Sequence, residues 1–225
     1  SISPEPEMLF YPDRPAGPAE HACPFSAVNG KHLAREACRS CSTRECVRRW
    51  RHPCFELAGS ELTVSELVQQ AMAAKAVFGI DGGVTFGGGE PSLQAEEILA
   101  ATSALAAEGI GVTVESNAAG AGFRRLIGKV ALLICDLKCV SPERHRAWTG
   151  ADNSDILANL RLAAMHQPAM NLRIPLVPGC NCDNPELVAI RDFLAGLPPR
   201  SMPLPVELLP LHHLGEPKYA ALDQS

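Results

Sequence analysis

The chain has 225 residues, a formal net charge of −5 at pH 7, 46% hydrophobic residues and 20% charged residues. This balance excludes global disorder, and the mildly acidic charge argues against general nucleic-acid binding. No apolar run approaches the roughly 18–20 residues of a bilayer span, and the length is that of one domain, or one domain with a small insert.

In chain order, the stretch from Pro4 to Gly30 is rich in Pro, Gly and Ala and has no periodicity apart from the apolar run Met8-Leu9-Phe10-Tyr11. Residues 31–54 then hold four Cys and a dense cationic set. Lys31, Arg35, Arg39, Arg44, Arg48, Arg49 and Arg51 against Glu36 and Glu45 give a local +5, so the rest of the chain sums to −10. Residues 1–58 read as a loop-rich insert that buries little core and needs an external staple. From Glu61 onward, short apolar runs alternate with Ala/Leu-rich stretches. Strands are predicted at Gly83–Phe86, Val112–Glu115, Val130–Asp136, Met170–Val177 and Pro205–Leu209. Helices are predicted at Val64–Phe78, Leu93–Glu108, Asn153–His166 and Pro185–Leu194, with Ser65 and Ser92 as starts and Gly109 as a C′ glycine. The run Val130–Cys135 reads as a parallel strand covered on both faces. Residues 59–225 therefore predict an α/β body with parallel strands, whose site lies at the strand C-termini.

Polar residues stand where that rule places them. The first predicted strand ends in Gly87-Gly88-Gly89-Glu90-Pro91, where consecutive glycines let a backbone approach a ligand and Glu90 could hold a cationic group. The segment is neither a GxGxxG fingerprint nor a P-loop, and a plain glycine-rich turn into a helix reads equally well. Glu115-Ser116-Asn117, Asp136-Leu137-Lys138, Arg173 and His212-His213 lie in or after the later strands. Each alone has a structural reading, such as a cap or a strand-end ion pair, and the set is more informative than any member.

Nine Cys is an odd count in a sequence read as leaderless, which predicts a reducing, cytoplasmic compartment and thiols or metal ligands in place of a disulfide framework. Cys38-x2-Cys41-x4-Cys46-x7-Cys54, with Cys23 upstream, suits a four-cysteine zinc site or an iron–sulfur cluster. An unmetallated Arg-rich loop is the other reading. Cys135 falls in a buried strand, while Cys139, Cys180 and Cys182 are scattered through the α/β part.

The segment Gly82–Pro91 with Gln94 resembles the glycine-glycine-glutamate segment of glycyl-radical-enzyme activating enzymes, radical S-adenosylmethionine (SAM) proteins of the pyruvate formate-lyase activase type. The resemblance continues through Glu115-Ser116-Asn117, Asp136-Leu137-Lys138, Pro142–His145 with Trp148–Gly150, Arg173–Gly179 and Glu207–Tyr219, and residues 1–58 resemble the family's ferredoxin-like insert. It implies a partial TIM-like barrel of about six strand–helix units. It also implies reductive cleavage of SAM at a 4Fe–4S cluster to a 5′-deoxyadenosyl radical, which takes a hydrogen atom from a glycine of a partner enzyme. Carried over by position, Gly88, Gly89 and Glu90 meet the methionyl end of SAM, and Asp136, Leu137 and Lys138 contact it. Arg173 completes the rim, His212 closes on the adenosyl part, and Glu115 with Ser116 matches a pair that holds a monovalent cation in some relatives. The implied partners are a glycyl radical enzyme and an electron donor of the flavodoxin or ferredoxin type, with no nucleic acid or membrane, for a monomer.

The departures concern iron. The family holds its radical cluster by CxxxCxxC after the first strand, and none of the nine Cys has that spacing; Cys135-xxx-Cys139 opens it, but position 142 is Pro. The chain is therefore expected to be a piece lacking that loop and the first strand, and inactive by itself. The insert's first Cys set is reduced to Pro15, Pro18, His21 and Cys23. The second keeps Cys38, Cys41 and Cys46 but has Trp50 in the fourth place, with Cys54 as the substitute, so at most one auxiliary cluster is expected. Two other readings fit the same residues: a non-catalytic zinc- or partner-binding module, and a radical SAM enzyme with another substrate.

Overall fold

The structure, a computed structural model, describes residues 7–14, 23–79, 82–211 and 216–222. They fall into two compact units, one within Ser1–Glu61 and His212–Ser225, the other Leu62–Leu211.

The first unit runs β1 (Glu7–Phe10), β2 (Val28–Asn29), β3 (His32–Leu33), α1 (Arg35–Arg39), α2 (Glu45–Arg48) and β4 (Phe55–Ala58). β2 and β3 form a hairpin whose two-residue turn uses Gly30 at φ +58°. β1 and β4 pair antiparallel, which sets Phe10 opposite Phe55 with ring centroids 5.3 Å apart. These rings pack with Met8, Val28, Leu33, Cys38, Cys46 and Cys54 into a core. The expectation of a unit that buries little is corrected here. Two strands more than forty residues apart supply apolar faces that no local period reveals.

The second unit opens with α3 (Val64–Phe78) and then alternates strands with helices, two helices standing between β7 and β8: β5 (Gly83–Phe86), α4 (Ala95–Ala107), β6 (Gly111–Ser116), α5 (Gly120–Leu126), β7 (Leu132–Asp136), α6 (Pro142–Thr149), α7 (Ser154–His166), β8 (Met170–Leu176), α8 (Asn184–Ala195) and β9 (Val206–Pro210). α9 (Glu216–Ala221) belongs to the first unit, where Arg35 Nη2 donates to the Ala221 carbonyl at 2.7 Å. The five strands β5 to β9 are parallel and lie in sequence order. Sequential order without reversal is the winding of a barrel, whereas a doubly wound sheet reverses at a switch point. The fold is thus α/β, a partial TIM-like barrel, as expected.

Thr63, not Ser65, starts α3. Its hydroxyl accepts from the Glu66 N–H at 3.2 Å, and the Glu66 carboxylate accepts from the Thr63 N–H at 2.8 Å, a capping box. Gly109 sits just past α4 at φ +70°, as a C′ glycine does. The helices cover one face of the sheet, where Val112, Val114, Leu133, Cys135, Leu172 and Ile174 pack against Leu105, Phe123, Leu126 and Leu160. β7 is covered on both faces, as expected, with Leu133, Ile134 and Cys135 buried in succession, whereas β6 alternates buried Val112, Val114 and Ser116 with half-buried Thr113 and Glu115. The strand register puts Glu115, Asp136, Arg173 and Glu207 together on that second, polar face. Among the described residues, no helix is long and apolar enough to cross a membrane.

Candidate functional site

Beyond the C-terminal ends of β5, β6 and β7 lies a cavity of about 180 Å³, lined by Gly88, Gly89, Glu90, Glu115, Ser116, Asn117, Asp136 and Lys138. Six of the residues predicted for SAM meet there with Glu115 and Asn117. Gly88 and Gly89 adopt φ of +68° and +58°, a conformation that side chains resist, and a Cβ on Gly88 would meet no protein atom within 4 Å. The glycine rim is therefore open toward the cavity.

Glu90 anchors this rim. The residue is 6% exposed, and its carboxylate accepts three hydrogen bonds: from the Ser92 N–H at 3.0 Å, from Ser116 Oγ at 2.6 Å and from the Asn117 N–H at 2.8 Å. The side chain lines the cavity, but its lone pairs serve the protein, joining the turn after β5 to the end of β6. Ser116 also accepts from the Ala118 N–H at 3.0 Å. Ala118, fully buried, stands at φ +61°, an outlier for a residue with a Cβ. Its carbonyl accepts from the buried Asn159 side chain at 2.8 Å, so α7 holds this strained turn in place. The sequence reading did not single out Asn159 or Ala118. A polar residue on an otherwise apolar helix face was the available signal for Asn159.

Charges alternate across the polar face. Arg173 pairs with Glu115 at 2.9 Å and with Glu207 at 3.0 Å, and Lys138 pairs with Asp136 at 3.6 Å. Arg173 thus braces the rim from behind, and the Glu115 carboxylate predicted for a cation is engaged by a guanidinium. Burial lifts the Asp136 carboxyl above the usual range, while Lys138 and Arg173 pull it back. Leu137 is fully buried in the core and turns away from the cavity. His212 lies outside the described residues.

SAM carries a carboxylate, an ammonium and a sulfonium, and this donor set fits it: Lys138 and open backbone for the anion, Asp136 and the rim carbonyls for the cations. The radical cluster does not fit. No CxxxCxxC is present, and among the described residues no three His, Cys, Asp or Glu stand close enough to hold a metal ion.

In the first unit the thiols of Cys38, Cys41 and Cys46 lie within electrostatic reach of one another and of Cys23. Burial first, then the Cys38, Cys23 and Cys41 thiols, push Cys46 up to about 11. Cys38 is likewise raised, by burial foremost with Cys23 and Cys41 adding, against Arg44. Burial raises Cys41 too, yet hydrogen bonds from Thr43 and Arg44 outweigh it and leave the thiol below its usual value. N–H groups already point at three of these sulfurs: Ala27 N to Cys23 at 3.3 Å, Arg44 Nη1 to Cys38 at 3.3 Å and Arg44 N to Cys41 at 3.4 Å. Cys54 instead directs its thiol to the Arg14 carbonyl at 3.5 Å.

A family model described as the radical SAM superfamily matches residues 21–189. The 4-hydroxyphenylacetate decarboxylase activating enzyme of Clostridioides difficile (strain 630) is 29% identical over 205 residues, covering 89% of this chain and 64% of that protein. The (2S)-3-sulfopropanediol dehydratase activating enzyme of Klebsiella oxytoca is 30% identical over 211 residues, covering 91% and 65%. The chain thus spans just under two thirds of the length of each. The crystal structure of a domain of pyruvate-formate lyase-activating enzyme from Bacteroides vulgatus ATCC 8482 superposes with a TM-score of 0.50 at 30% identity, over 63% of this chain and 91% of that one.

Proposed function

The chain belongs to the radical SAM superfamily, among the activating enzymes of glycyl radical enzymes, and from this premise we propose that the whole protein is an oxidoreductase that cleaves SAM reductively to place a glycyl radical on a partner enzyme. The superfamily's cofactors are SAM and a 4Fe–4S cluster, and bound SAM supplies the hydrogen-abstracting group. The observation that carries the reading is the cavity that joins Gly88, Gly89, Glu90, Ser116, Asp136 and Lys138 at three consecutive strand ends. Lys138 and the open glycine backbone hold the methionyl carboxylate, Asp136 faces the cationic groups, and Glu90 fixes the rim. Arg173 keeps Glu115 from repelling the anion. His212 closes over the adenosyl part in the same proposal.

The division into residues 1–58 and 59–225 belongs to this reading, with one auxiliary cluster on Cys38, Cys41, Cys46 and, in place of Cys54, Cys23. A flavodoxin- or ferredoxin-type donor would supply the electron, and the protein would work as a cytoplasmic monomer. The relatives named above serve a decarboxylase, a dehydratase and pyruvate formate-lyase, so the proposed partner is a glycyl radical enzyme of any of these chemistries.

The 225 residues should bind SAM without cleaving it, since they supply no radical-cluster thiols. Calorimetric titration with SAM under reducing conditions tests the first half; release of 5′-deoxyadenosine by the chain after anaerobic iron–sulfide reconstitution would overturn the second. Binding should also report Asp136. Its folded-state pKa is raised, so on acidification its charge, and with it the attraction for the cationic ligand, is lost above the ordinary aspartate value of about 3.9. Affinity should therefore begin to fall on acidification before the ordinary aspartate value of about 3.9 is reached, and Asp136→Asn should flatten the dependence. An equal slope in the variant would remove Asp136 from the site.

A further inference from the structure

In the second unit two cysteines that the proposed function leaves idle stand with their sulfurs 3.5 Å apart. Cys139 and Cys180 are both free thiols, 2% and 6% exposed. They are 41 residues apart in sequence, so the fold, not local geometry, brings them together. Cys139 directly follows Lys138 beyond the end of β7, and Cys180 lies in the loop between β8 and α8.

The backbone on both sides is pinned. Asn153 Nδ2 donates to the Cys139 carbonyl at 2.9 Å and to the Val140 carbonyl at 3.0 Å. Arg144 Nη1 donates to the Cys180 carbonyl at 2.9 Å. Asn181, 1% exposed, donates through Nδ2 to the Lys138 carbonyl at 2.7 Å and the Pro175 carbonyl at 2.6 Å. The residue that follows Cys180 therefore already grips the residue that precedes Cys139. A covalent bond requires the sulfurs to close by about 1.5 Å more, while the two loops are already held together.

We propose that Cys139 and Cys180 form a peroxide-oxidisable dithiol whose disulfide ties the Asp136–Lys138 strand end to the β8–α8 loop. One thiol takes an oxygen atom from hydrogen peroxide and becomes a sulfenic acid, the peroxide leaving as water. The other sulfur displaces the sulfenic hydroxyl, which leaves as a second water, and the S–S bond forms. Two electrons pass from the thiols to peroxide, and both thiol protons end in water. The tied strand end carries Asp136 and Lys138, so oxidation would stiffen the rim assigned to SAM. That assignment rests on the preceding proposal, and the readouts below need no SAM, so the two fail separately.

Reduced protein is titrated anaerobically with hydrogen peroxide, the remaining thiols are alkylated, and the digest is mapped by mass spectrometry. The peptide pair joining Cys139 to Cys180, lighter by two hydrogens, should accumulate before any other link among Cys135, Cys139, Cys180 and Cys182, and dithiothreitol should reverse it. Amide hydrogen exchange over Leu137–Val140 should slow about fivefold or more in the linked form. Cys139→Ala should abolish the slowing and Cys182→Ala should retain it. A Cys180–Cys182 link with Cys139 alkylated, oxidation confined to the exposed Cys182, or unchanged exchange in the linked wild-type protein would overturn the proposal.

Discussion

Glu90→Ala should lower the unfolding free energy by about 3–5 kcal/mol and abolish SAM binding. The magnitude follows from the number of donors that the carboxylate satisfies. Removing it leaves the Ser92 N–H, the Asn117 N–H and the Ser116 hydroxyl without their acceptor. Gln is no rescue. Oε1 accepts from Ser92 and Ser116 while Oε2 accepts from Asn117, so either orientation of an amide sets its NH2 against a backbone N–H. Denaturant titration checks this as a lower midpoint at constant slope. A loss below about 0.5 kcal/mol would remove the clamp role. Glu90→Gln matching wild-type SAM affinity would do the same.

Cys23→Ser should eliminate the auxiliary cluster, while Cys54→Ser should leave it intact. Cys23 is the thiol that, together with Cys38 and Cys41, bears on Cys46, whereas Cys54 is turned to the Arg14 carbonyl. Existing N–H donors to Cys23, Cys38 and Cys41 also suit sulfurs that carry charge in a cluster. Iron and acid-labile sulfide per chain after reconstitution decide the matter. The opposite result from the two variants would return Cys54 to the ligand set, and zinc without sulfide would favour the binding-module reading.

The barrel was legible because its strands and longer helices announce themselves locally. β5 was placed at Gly83–Phe86 and α3 at Val64–Phe78, the spans observed. Elements whose stability comes from elsewhere were not legible. α6 has a polar sequence with no apolar period and is held by Pro142 at its start and by the Ser141 cap. α5 is short, and β4 is a strand only because β1 lies beside it. The site shows the same division. Which residues lie at the strand ends follows from alternation, so Asp136, Lys138 and the glycine rim could be named. What each side chain does once there depends on its neighbours in space. Glu90 reads as a group for a ligand's charge until Ser92, Ser116 and Asn117 are seen to consume its oxygens, and Cys23 looks stranded until the fold sets it beside Cys38.

The last strand of the sheet has a consequence for self-association. On its outer side β9 is unpaired among the described residues, and it exposes Val206, Leu208 and Leu209 by 40%, 58% and 37%. An apolar free edge of this kind is a template for adding strands from other molecules. The chain brackets it with proline: Pro203 and Pro205 before, Pro210 at its end. Between Pro205 and Pro210 only Val206–Leu209 carry N–H donors, shorter than the six or so residues that a fibril-forming segment needs. The ends of β9 thus cap the ladder chemically, and the sheet can leave an apolar margin open without seeding a fibre.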